Sequence, residues 1–113
     1  MSKKFYSLRI DSKNEHKLID ELLSVRSNYN FDGSWGIELV EEDDDAYIPF
    51  IDYFLSLLEG KYLKLKKIGI EKNDISIWML YAYHGQCNME ISPDDMLKLG
   101  KAGITLCISC WEN

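Results

Sequence analysis

A chain of 113 residues that is 46% hydrophobic and 12% aromatic holds too much apolar surface to stay disordered, and it is long enough to bury a core without staples. Its net charge of −6 argues against nucleic acid as a partner, since phosphate binding relies on clustered lysine and arginine. No apolar run approaches the ~20 residues of a membrane span, and the N-terminal Met-Ser-Lys-Lys-Phe-Tyr lacks the apolar core of a secretory signal. A single soluble, cytoplasmic domain is the expectation, with no membrane association. The charge is uneven: residues 1–60 carry 6 basic and 13 acidic side chains, and residues 61–113 carry 7 and 6. An acidic N-terminal half points to a basic protein partner.

In chain order, Lys4 to Ile10 alternates Phe5, Ser7 and Arg9 against Tyr6, Leu8 and Ile10, which predicts a strand with the second set facing the core. Ser12 and Glu15 have capping-box spacing ahead of a helix whose stripe is Leu18, Ile19, Leu22 and Leu23. His16 falls on its polar side. Residues 28–34, rich in Asn, Asp and Gly, read as a loop. Trp35 to Glu41 resumes the period of two, with Trp35, Ile37 and Leu39 on one face. The acids at 41–45 read as a strand end and as favourable charge before a helix over 46–59. That helix has two apolar stripes, one of Ile51, Phe54, Leu55 and Leu58, the other of Tyr47, Phe50, Tyr53 and Leu57. The second stripe makes Tyr47, Phe50, Tyr53 and Leu57 a candidate interface with a protein partner or a second copy. Residues 61–70 predict a short helical turn whose lysines form a solvated basic face.

The last third is the densest in signal. Asp74 to Tyr83 reads as a buried strand, His84-Gly85 as a two-residue turn, and Gln86 to Ile91 as the return strand of a hairpin. Ser92-Pro93-Asp94-Asp95 has the form of a helix start and Gly103 of a stop, and Ile104 to Trp111 reads as a strand covered on both faces in the middle of a sheet. The intervening helix is long enough for a right-handed crossover between parallel strands.

No recognised catalytic or nucleotide-binding motif is present, and no cofactor or metal is expected. Cys107 and Cys110 match C-x-x-C, but three residues apart on a strand they point to opposite faces, so Cys87, Cys107 and Cys110 read as buried structural thiols. His84, Gln86, Asn88 and Glu90 form a polar strip able to bind a ligand or a partner backbone, and Trp35, flanked by Gly33 and Gly36, is the tryptophan best suited to line such a site.

The strand-helix start, Gly33-Ser34-Trp35, Phe54-Leu-Ser-Leu-Leu58 and the closing Leu97-Lys-Leu-Gly-Lys-Ala-Gly-Ile-Thr-Leu-Cys-Ile-Ser-Cys-Trp111 together resemble the domain-of-unknown-function 4279 family of small bacterial proteins. The resemblance implies a compact α+β sandwich and brings no activity or catalytic residues. The expectation is then a two-layer α+β domain over 1–113, with a mixed, mostly antiparallel sheet of about five strands and helices mainly on one face. Its elements follow in the order β-α-β-α-(α)-β-β-α-β. The expected function is a non-enzymatic interaction module of toxin-neutralising or regulatory kind, with a small-ligand binder, an unrecognised enzyme or a structural homodimer as alternatives.

Overall fold

The computed structural model describes residues 3–42 and 46–112, so most of the acidic run, at 43–45, lies outside the described residues. Its first strand, β1 (Lys3–Ile10), is followed by α1 (His16–Leu23), β2 (Tyr29–Phe31), β3 (Ser34–Glu42), α2 (Phe50–Leu58) and α3 (Tyr62–Lys67). A 3₁₀ turn at Lys72–Asp74 then leads into β4 (Ile75–Tyr83), α4 (Pro93–Ala102) and β5 (Thr105–Glu112). The strands make one mixed sheet in the order β2-β3-β1-β4-β5, antiparallel throughout except where β5 lies parallel to β4.

The period-two pattern of β1 sets the layers. Tyr6, Leu8 and Ile10 are fully buried and lie opposite Leu39, Ile37 and Trp35 of β3 on one side and Met79, Ile77 and Ile75 of β4 on the other. These side chains share one core with Ile19 and Leu23 of α1, Phe50, Ile51, Phe54 and Leu58 of α2, Leu65 of α3 and Leu99 of α4. All four helices therefore cover the same face of the sheet. The Tyr6 and Phe50 rings stack 4.2 Å apart, 12° from parallel, and tie α2 to the central strand. The Tyr6 hydroxyl is buried beside Glu41, and that burial, then the Glu41 charge, holds the phenol above its ordinary value.

Several local expectations give way to tertiary context. The loop over 28–34 contains β2, joined to β3 by Asp32 and Gly33, whose φ values of 52° and 94° are those of a tight hairpin turn. Ser12 does not cap α1; its hydroxyl accepts from the Asn14 backbone and side-chain amides instead, and the helix begins at His16. The helix expected over 46–59 starts only at Phe50, and Glu41 accepts a hydrogen bond from the Ile48 amide at 2.8 Å. Residues 86–91 form no strand: Met89 and Ile91 pack on the core as the chain crosses back towards α4. Ser92 and Gly103 end α4 as read, the serine accepting from the Asp95 amide and the glycine taking φ 71°.

The largest correction concerns β5, which is an edge strand and not a central one. Its burial follows from that place: Ile108 is 46% and Trp111 43% exposed. Cys110 is exposed, and Cys87 and Cys107 are half-buried, so the thiols are not core residues. The neighbouring pair is Cys87 of the crossover with Cys110 of the edge strand; partial burial and then the nearby Cys110 thiol hold the Cys87 thiol above its ordinary value.

Phe50 is 1% exposed and therefore unavailable as an interface residue, while Tyr47 and Tyr53 remain exposed and Leu57 half-buried. Replacing Phe50 by Ala is expected to cost about 3–5 kcal/mol through the cavity beneath Tyr6, measured as a lower midpoint in chemical denaturation with an unchanged mass of the folded state.

Candidate functional site

Among the described residues, no helix lies on the other face of the sheet. Along β1 it presents Phe5, Ser7 and Arg9; along β3, Gly36, Glu38 and Val40; along β4, Ser76, Trp78 and Leu80. Parallel pairing adds Thr105, Cys107, Ser109 and Trp111 from β5, and β2 adds Tyr29 and Phe31. The alternation that builds the core thus leaves a second surface with aromatic and aliphatic side chains in view of solvent.

Arg9 is the organising side chain of this face. Its guanidinium lies 4.0 Å from the centre of the Phe31 ring and 4.1 Å from that of Trp78, and its Nε donates to the Ser7 hydroxyl at 3.1 Å. Phe31 reaches this position because Gly36, directly across the hairpin from Tyr29, has no Cβ; one built there would overlap the Phe31 ring. Tyr29 continues the stack, with its ring 4.4 Å from Phe31. Trp78 is held from behind, its indole N–H donating to Ser76 at 2.9 Å. The result is a ladder of Tyr29, Phe31, Arg9 and Trp78 running across four strands, in which the cation is attracted by two ring faces at once.

Beside the ladder opens a cleft of about 420 Å³ lined by Arg9, Asp11, Tyr29, Asn30, Asp32, Ser34, Asp74 and Trp78. Depressions of similar size elsewhere, at α3 and between α2 and α4, are lined mainly by helix side chains and lysines. The cleft differs in chemistry: three carboxylates line it together with one guanidinium, whose charge is already met by aromatic faces and by Glu38. Burial of Arg9 lowers its pKa while the Glu38 charge raises it. Glu38 in turn is held above its ordinary value, because burial outweighs the attraction of Arg9. Asp11, Asp32 and Asp74 sit around the rim and do not gather into a group able to hold a metal ion.

The residues anticipated from sequence lie elsewhere. Trp35 is fully buried on the helix side, its indole N–H donating to Asp20 Oδ1 at 2.7 Å, an oxygen that also accepts from the Ser27 amide. It stands in register with Ile10, which faces Ile75 at the start of β4, whereas His84 follows the end of that strand. Nine residues at ~3.3 Å each separate the two by about 30 Å. His84, Gln86, Asn88 and Glu90 are exposed and line none of the depressions described above; Gln86 donates to Asn88 at 3.4 Å. The structure therefore does not bring Trp35 together with the polar strip. His16, expected in solvent, donates through Nε2 to the Gly33 carbonyl at 2.8 Å and braces the β2–β3 turn.

Compared with protein-family models, with curated proteins and with solved structures, the chain matches none.

An acid whose folded pKa is raised holds its proton more tightly folded than unfolded, so ionised Glu38 costs stability and the cost vanishes as pH falls below its ordinary range. Glu38→Gln is accordingly expected to raise the thermal midpoint at pH 7, by about 2 °C or less for a half-buried group. The gain should disappear at pH 3, as read by circular dichroism at both pH values.

Proposed function

We propose that this protein is a non-enzymatic interaction module that receives a basic segment of a partner protein on the helix-free face of its sheet. The observation that carries this reading is the juxtaposition on that face of an exposed Tyr29 and half-buried Phe31 and Trp78 with an acidic cleft lined by Asp11, Asp32 and Asp74. Charge decides the sign of the partner. Three carboxylates stand against one guanidinium, and that guanidinium is already faced by two rings and by Glu38.

A lysine or arginine from a partner would place its charge among the rim carboxylates and its aliphatic stem on the rings, an arrangement in which Coulomb attraction and apolar contact add. Seven of the residues lining the cleft come from the first 34 positions, Asp11 and Asp32 among them, so part of the acidity of the N-terminal half stands beside the aromatic surface. Such a surface suits a neutralising or regulatory protein, whose task is to occupy a partner. The likeness to the domain-of-unknown-function 4279 family, carried by residues 97–111 and the earlier segments, is part of the same proposal and adds no activity to it.

The test uses two labelled peptides, one of alternating lysine and glycine and one of alternating glutamate and glycine, followed by fluorescence anisotropy as protein is added. The lysine peptide should bind at low salt and weaken ~10-fold at high salt, while the glutamate peptide stays free. Asp32→Asn keeps the left-handed turn residue, since asparagine tolerates positive φ, and should weaken the lysine peptide about 3-fold. Equal binding of both peptides, or none by the lysine peptide at low salt, would contradict the proposal.

A further inference from the structure

We propose that β5 is a self-association edge, through which two copies of the chain pair antiparallel about Ile108 into one continuous ten-stranded sheet. The sheet has two edges, and they are built differently. β2 is three residues long and ends the sheet bluntly, whereas β5 runs eight residues in unbroken register with β4, from Ser76 opposite Thr105 to Tyr83 opposite Glu112. Natural edge strands are protected by lysine, proline, a bulge or shortness. The segment Thr-Leu-Cys-Ile-Ser-Cys-Trp-Glu has none of these, and its alternate N–H and C=O groups point away from β4 without a strand to meet them.

The surroundings of the edge are apolar as well. Ile108, in register with Met79, lies on the helix side, and Trp111, in register with Ala82, lies on the open side. Above the edge, α4 turns Lys98 towards α2, where it meets Asp52 at 2.6 Å. Met96 is two residues earlier, about 200° round the helix, so it occupies the flank away from α2 and over β5. Met96 is 54% and Ile108 46% exposed on the helix side and Trp111 43% exposed on the open side, so large apolar side chains flank the edge on both faces.

Charge and symmetry select a second copy as the occupant. The basic segment expected at the aromatic cleft would find nothing to pair with here, because Glu112 is the one charged residue of β5. Elsewhere two chains of net charge −6 repel, so this neutral strip is where they can approach most cheaply. A two-fold axis normal to the sheet keeps helices on one side and requires residues of like parity to face each other. Centred on Ile108, it sets Ile108 against its own copy, Leu106 against Cys110, Cys107 against Ser109 and Thr105 against Trp111. The Met96 flanks of the two α4 helices then meet above the seam. The basic-partner cleft opens on the other face and uses no residue of β5 or α4, so either proposal can fail without the other.

Light scattering after size exclusion, across a dilution series, tests this directly. The wild type should reach twice the 13.2 kDa of one chain. Ile108→Lys and Met96→Glu should each return the mass to one chain with an unchanged circular dichroism spectrum. Leu63→Lys, at a site 77% exposed on α3, should leave the dimer intact. Should Ile108→Lys fail to fold, Met96→Glu on the helix surface still decides. Hydrogen exchange provides a second readout: alternate amides of residues 105–112 should slow by at least ~10-fold as concentration rises through the dimerisation range. A one-chain mass at every concentration, a dimer that survives Met96→Glu, or exchange independent of concentration would overturn the proposal.

Discussion

Everything in this structure depends on the alternation along β1. A strand with a neighbour on each side cannot shift its register by one residue without turning Tyr6, Leu8 and Ile10 out of the core and Phe5, Ser7 and Arg9 into it. The cost of that slip is the burial of three large side chains, each worth roughly 1.5–3 kcal/mol, and the desolvation of a guanidinium. The register is therefore fixed, and with it the two faces. Four helices collect on the apolar one, and the face that carries Arg9 is left to the sheet's own side chains.

Arg9 is how that second face tolerates exposure. A guanidinium is planar and weakly hydrated, so it can lie between Phe31 and Trp78 as a third layer while its charge is retained. It serves as a partial lid over the central strands, and Ser7 beneath it is fully buried although it points to the uncovered side. The same stacking lines the aromatic planes up beside the Asp11, Asp32 and Asp74 carboxylates, so one side chain accounts both for the integrity of the face and for the form of the cleft. An Arg9→Lys change would keep the charge and lose the plane.

Much of the fold was legible because its decisive signals are local. The period of two in Lys4–Ile10 and Trp35–Glu41, the Ser92-Pro93 start and the Gly103 stop all depend on neighbours in sequence, and each appears where the residues place it. Asp32-Gly33 carried the hairpin signal too, though it lay in a stretch whose polar composition reads as loop. Gln86–Ile91 alternates as a strand does, but Met89 and Ile91 reach the core from a crossover without any ladder. Phe50 looked like an outward stripe because a helix pattern cannot say how much of its circumference the sheet will cover. The cleft was out of reach for a similar reason: Arg9, Phe31 and Trp78 are far apart in sequence, and only the strand order β2-β3-β1-β4 makes them neighbours.

The central claim is that one face of this sheet is bare in the free protein and is the face a partner takes. Hydroxyl-radical footprinting of aromatic side chains, with and without the lysine–glycine peptide, tests it most directly. The account predicts ready oxidation of Tyr29 and Trp78 in the free protein, near silence at Trp35, Phe50 and Phe54, and protection of Tyr29 and Trp78 when the peptide is bound. Oxidation of Trp78 as low as that of Trp35 in the free protein, or a peptide footprint confined to the helix side, would contradict it.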